Sequence, residues 1–184
     1  MKMKQSVIGS KQSARGFALT EVLLYVAIGA VLIGGSFLAY RTITKDAEAD
    51  RQVSGIVDFV AKGKETFGLA GGNWASYTPA NLIKMNRIPP QFTKDASAGK
   101  VFDAFGTEVV FGAASAAEGV ASFVMRSPEE CTKITQSIAD LAYTASVGTS
   151  GAETVVKTSS AKLDVALMAT GCAASTPVLK LAMR

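Results

Sequence analysis

The sequence predicts an α+β chain, with a long N-terminal helix followed by a globular part that mixes short helices and strands. Three observations predict it. Nineteen consecutive residues, 22–40, carry no charge, and apolar steps of three and four residues continue as far as Phe67. Gly68, Gly71 and Gly72 then break the pattern, as glycines do past a helix end. Beyond them, helix-start signals alternate with runs rich in β-branched and aromatic residues. At 184 residues the chain is long enough for one ordinary domain with a real core. With 48% hydrophobic and 18% charged residues, a disordered tail or a highly charged RNA-binding domain is excluded.

The formal charge of +4 resides in residues 1–16, which hold Lys2, Lys4, Lys11 and Arg15 and no acidic residue. The other 168 residues balance 15 basic against 15 acidic side chains. The basic character therefore belongs to a leader and not to a patch on the folded body, and no direct nucleic-acid binding is predicted. Positive charge just before an apolar run keeps that end in the cytoplasm at a membrane.

Residues 22–40 suffice for a helix across a bilayer core of about 30 Å. Three readings compete: a cleaved secretory signal with a small-residue cut near Gly34-Gly35-Ser36, a plain transmembrane anchor, and a helix stored in the membrane and later buried among copies of itself. Glu21 separates them. A carboxylate at the head of an apolar run is costly and usually has a specific partner. The bland alternative places Glu21 at the membrane interface beside the positive leader. A cut between Gly16 and Phe17 would create an α-amino group four residues from Glu21. Cation and anion on neighbouring copies would then neutralise each other and set the axial stagger.

The basic leader ending in Gly16, then Phe17, Glu21 and a long apolar helix, resembles the class III signal of type IV pilins. The resemblance implies cleavage after Gly16 by a prepilin peptidase and N-methylation of Phe17. It assigns Glu21 to filament assembly. It also implies a type IV pilin fold, with the helical spine packed against an antiparallel β-sheet globular domain. The implied organisation is a leader at 1–16, a spine at 17–67 with its transmembrane or filament-core part at 17–40, and a globular domain at 68–184.

Along the spine, Ile43, Ala47, Val53, Ile56, Val57, Val60 and Phe67 mark one apolar face, and Asp58 and Lys62 are spaced for an i,i+4 pair on the opposite face. The helix would be roughly 75 Å long at 1.5 Å per residue. Gly29, Gly34 and Gly35 suit close packing of helices through small surfaces; the sharper reading is local unwinding in a filament, each glycine costing about 1 kcal/mol relative to alanine.

In the globular part, Thr78 and Pro79 predict a capped short helix to about Asn86, ended by Pro89-Pro90. Trp74 is expected as a core anchor. Residues 100–112 predict a strand or hairpin and 120–126 another strand. Ser127-Pro128-Glu129-Glu130 predicts a helix start, with the helix continuing to about Tyr143. A loop at 148–151, a weak strand at 154–157, a helix or strand at 163–168 and a final strand at 177–184 complete the reading.

Cys131 and Cys172 are the only cysteines. Delivery outside the cytoplasm would favour a disulfide between them, against the alternative of two buried thiols. In type IV pilins a C-terminal disulfide staples a variable loop region to the sheet. The mature length, the wide cysteine separation and the short strand after Cys172 resemble the type IVb branch, whereas Phe17 as first mature residue is more usual in type IVa.

Catalysis finds no footing. The absence of histidine excludes His-based triads and His-ligated metals, and two cysteines exclude a four-cysteine zinc site. There is no P-loop and no GxGxxG. Glu129 and Glu130 are adjacent on a helix and point apart, and Asp46, Glu48 and Asp50 read as a solvated helix face. No catalytic, cofactor or metal site is predicted. The resemblance implies a structural subunit of a type IV pilus, with itself, the prepilin peptidase and the assembly machinery as partners. It would reside in the bacterial inner membrane as precursor and in an extracellular filament thereafter. A minor pilin or a secretion-system pseudopilin is the alternative within the family. A secreted or tethered enzyme or binding protein using 1–40 as an ordinary signal is the alternative outside it.

Overall fold

The computed structural model describes residues 19–68 and 73–184, excluding the side chains of Leu19, Glu21, Leu38, Arg41 and Thr42. The expected cut between Gly16 and Phe17, the side chain of Glu21 and the glycines Gly71 and Gly72 lie outside the described residues. The chain divides into two compact units, Met1–Ile43 and Thr44–Arg184. Helix α1, Leu19–Gly63, contributes to both and is followed by a π-helical turn, Lys64–Gly68.

In the first unit the described helix is continuous α through Gly29, Gly34 and Gly35, and a Cβ at any of the three would meet nothing within 4 Å. The described residues thus contain neither a packed small surface nor an unwound turn at these glycines.

The second unit begins with the amphipathic half of α1. Ile56, Phe59 and Val60, spaced three and four apart, are buried to 1% exposure or less. Phe59 is the hub of an aromatic cluster, with ring centroids 5.0 Å from Phe111, 5.8 Å from Phe92, 6.1 Å from Phe123 and 6.3 Å from Tyr77. Trp74 is fully buried against Tyr77 and Phe67, as a core anchor should be. Gly119 is required beside it, because a Cβ there would overlap the indole ring.

Helix α2, Pro79–Lys84, starts as expected, the Thr78 hydroxyl accepting from the Asn81 N–H. It stops earlier than expected. Asn86 adopts a left-handed conformation (φ 53°) before either proline is reached. Two sheets follow. Strands β1 (Thr93–Asp95) and β2 (Lys100–Phe102) form a small antiparallel ribbon. The main sheet comprises β3 (Val110–Ser115), β4 (Glu118–Val124), β5 (Thr144–Thr149), β6 (Ala152–Lys157) and β7 (Val178–Met183). Its order is β3-β4-β7-β5-β6, antiparallel throughout. Directly paired residues share a face. Phe123 and Val147 both pair with Leu179, and Ala121 and Ala145 both pair with Leu181, which assembles one continuous apolar layer. The expected α+β class, a helix with an antiparallel sheet, is the architecture observed.

Three further expectations change. Residues 100–112 do not form one strand or hairpin; they divide between the ribbon and the main sheet at the turn around Asp103. Helix α3, Pro128–Ile138, does not reach Tyr143. A short 3₁₀ turn, Ala139–Leu141, intervenes, and the Tyr143 N–H donates to the Ala182 carbonyl on β7, so sheet pairing overrides helical periodicity. Gly148 and Thr149 belong to β5 and not to a loop. The ambiguous 163–168 segment opens helix α4, Val165–Cys172, capped by Asp164, whose carboxylate accepts from the Ala166 and Leu167 N–H groups.

Candidate functional site

Two features bear on function: the apolar surface of the first unit, and the cysteine-linked region of the second with the groups that hold it to α1.

In the first unit apolar side chains face every direction. Val31 and Ile33 are each 74% exposed, Leu32 64% and Phe37 59%. Burying each such side chain would contribute about 1.5–3 kcal/mol. A helix that is apolar all round demands a wholly apolar surrounding, from lipid or from many neighbouring helices, because a single groove covers only one stripe. Ser36 is the one side-chain hydroxyl in the run 22–40 apart from the tyrosines, and its Oγ donates to the Leu32 carbonyl at 2.7 Å, so that hydroxyl is satisfied within the helix. Among the described residues no helix is long and apolar enough to cross a membrane; the run 22–40 includes Leu38, whose side chain lies outside them.

In the second unit Cys131 on α3 and Cys172 on α4 are joined by a disulfide, with Cα atoms 5.6 Å apart and both residues buried. The Ser127 hydroxyl accepts from the Glu130 N–H and starts α3 one residue before Pro128. The bridge closes a segment that contains β5 and β6, so it ties α3 and α4 together at the edge of the sheet.

The acidic residues read as a solvated face have specific partners. Lys133 on α3 lies 3.2 Å from Asp46 and 3.1 Å from Asp50. Hydrogen bonds donated to Asp50 and then to Asp46 hold its ammonium above the ordinary lysine range. Arg126 contacts Glu48 at 3.2 Å, donates to the Phe105 carbonyl and lies 4.5 Å above the Phe105 ring. These pairs are exposed, so each is worth about 0–1 kcal/mol; those of Lys133 link α1 to α3, and that of Arg126 links α1 to the turn between β4 and α3.

Sequence reasoning missed one polar pair entirely. Gln52 and Asp103 are 0% and 2% exposed. Gln52 Nε2 donates to Asp103 Oδ2 at 2.9 Å, and Gln52 Oε1 accepts from the Ala104 N–H. Asp103 Oδ1 accepts from the Phe105 and Thr107 N–H groups. Burial raises the Asp103 pKa, partly opposed by the N–H donors of Thr107 and Phe105, by Gln52 and by the more distant Arg126 charge. The pair pins the turn after β2 onto α1. The available signal was a glutamine on the apolar face of the spine, four residues before Ile56.

Of the residues singled out in the sequence, the structure brings together Cys131 and Cys172. Gly16, Phe17 and the Glu21 side chain lie outside the described residues. No group of three or more metal-ligating side chains occurs among the described residues. No family model matches the chain, and no curated protein matches it. Among solved structures the chain is similar to the type IVb pilin from Salmonella typhi, with 13% identity over 71% of this chain and 95% of that one, at a TM-score of 0.48.

Proposed function

We propose that the chain is the main structural subunit of a type IV pilus of the IVb kind. It is inserted in the inner membrane with its leader inside, cut after Gly16, N-methylated on Phe17 and polymerised through its apolar helix into an extracellular filament. The observation that carries this reading is the helix surface at 22–40, apolar in every direction, directly behind a basic leader, Gly16 and Glu21. Apolar burial among copies supplies cohesion. Glu21, facing the terminal amine of a neighbour, supplies register. The balanced charge of residues 17–184 limits repulsion in a closely packed assembly.

Mass spectrometry of the mature N-terminus tests the processing step. Methylated Phe17 is the expected result, and a start near Phe37 or an intact Met1 overturns the reading. Glu21→Ala tests register: cleavage at Gly16 continues, and electron microscopy of the cell surface finds few or no filaments. Normal filaments on cells carrying Glu21→Ala would remove the assembly role of Glu21.

A further inference from the structure

We propose that the cavity between α1 and the segment following α2 binds a small organic anion: a carboxylate carried on a body with one apolar face, of the size and class of an acidic monosaccharide. The cavity measures about 360 Å³, within the range of about 300–1,000 Å³ common to small-molecule sites. Its polar lining is Lys62, Lys94 and Asn86, and no carboxylate lines it. Its apolar lining comes from Ile88, Pro89 and Phe92.

The charge at this cavity follows from how the neighbouring acids are used. Lys62 lies one turn after Asp58 and three residues before Glu65, and the spacing predicts a pair with Asp58. The structure engages both acids elsewhere. Asp58 accepts from Gln91 Nε2 at 3.4 Å, and Glu65 pairs with Arg87 at 3.4 Å. Among the described residues Lys62 makes no ion pair, and neither does Lys94. Lys94 Nζ instead donates to Asn86 Oδ1 at 2.9 Å, which fixes that ammonium at the rim and leaves the Asn86 amide N–H groups as further donors. Asn86 holds this place through its left-handed backbone. Two ammonium groups without an ion pair among the described residues, at one concavity with no carboxylate in its lining, favour anions there.

The cavity is preformed. Gln91 donates to Ser54 and Asp58 on α1, and Arg87 reaches Glu65 one helical stretch further on. Between these ties Phe92 is buried against Phe59 and Phe123. Gly55 permits that approach, since a Cβ there would meet Phe92 Cε1 at 2.5 Å. A site that is already ordered spends little binding energy on ordering. The apolar lining selects among anions. A hydrated inorganic ion gains nothing from Ile88, Pro89 and Phe92, whereas the C–H face of a sugar acid covers them while its carboxylate meets the lysines.

The test uses the full chain in neutral detergent, with its lysines carrying ¹³C-methyl labels read by NMR. The probes are N-acetylneuraminate, its uncharged methyl ester, and acetate. The expected result is a saturable shift of the Lys62 and Lys94 signals with the acid, and binding of the ester and of acetate weaker by about tenfold or more, the scale of one charge-assisted hydrogen bond. Lys62→Met and Lys94→Met each weaken the acid's binding about tenfold on the same grounds, with an unchanged circular dichroism melt confirming the fold. The proposal is overturned by the lack of a saturable shift, by equal shifts at all exposed lysines, by an ester or acetate that binds as well as the acid, or by unchanged affinity in both variants.

Discussion

The two halves of α1 are made of the same kinds of residue arranged for different solvents. In the first unit Val31 and Ile33 are each 74% exposed, and the described side chains of residues 22–40 are apolar apart from the Ser36 and tyrosine hydroxyls. In the second, Ile56, Phe59 and Val60 are at 1% exposure or less, and the opposite face carries charge. A stripe can be satisfied inside one chain, by a sheet and a few loops. A helix that is apolar around its whole circumference cannot, and its stability becomes a property of whatever surrounds it. The difference separates the part of α1 that this chain covers itself from the part that it leaves to its surroundings.

That separation breaks most readily at Phe59. Phe59→Ala removes the hub of the aromatic cluster and is expected to lower the unfolding free energy of the second unit by about 3–5 kcal/mol. Ile33→Ala, in the exposed half, is expected to change it by less than about 0.5 kcal/mol. Both are read by denaturant titration of the full chain in neutral detergent, followed by the fluorescence of Trp74, the only tryptophan and a core residue. Equal losses at the two positions would erase the distinction.

Replacing Cys131 and Cys172 together by serine is the next largest effect. The bridge spans 41 positions, and its loss should cost about 2–4 kcal/mol by the same readout. An unchanged midpoint would show that the sheet alone holds α3 and α4.

Asp103 sharpens the comparison by pH. Burial raises its folded pKa, so the folded state holds a proton that the unfolded state has lost, and stability falls as pH rises across that interval. The margin of the parent over Asp103→Asn should be full below the ordinary aspartate value of about 3.9 and decline above it by at most about 1.4 kcal/mol per pH unit. It levels off above the raised pKa. Parallel stability curves for parent and variant would show that Asp103 titrates as though in water. A smaller loss is expected at Ser127: Ser127→Ala should cost about 1 kcal/mol through loss of the cap on α3, seen as a shift in the same titration.

The features legible in the sequence are those written within a few residues. Thr78 with Pro79 and Ser127 with Pro128 place two helix starts correctly, because a cap is satisfied by donors two or three positions away. The spine is legible for the same reason. Features set by distant partners were not. Tyr143 continues a helical pattern, yet its N–H goes to Ala182, 39 positions later in the chain. Strand β1 is only three residues, Thr93–Asp95, without an alternation to mark it. Gln52 and Asp103 are both polar and 51 positions apart; the place of Gln52 on the apolar face of the spine hints at burial, but nothing local marks Asp103 as its partner. Gly16, Phe17 and Glu21 are the reverse case: they form a recognisable local pattern, and the role proposed for them rests on contacts that a single chain does not make.

Strand β7 follows every other strand in sequence and occupies the middle of the sheet, between β4 and β5. The hairpins β3–β4 and β5–β6 are local and can form within microseconds. Neither can join the other until β7 arrives between them, after a slow search for distant partners. Folding of this unit therefore ends in a single zippering event. Until it happens, each hairpin offers an open edge to any other chain nearby. The interval before β7 docks is when misassembly competes most strongly with folding.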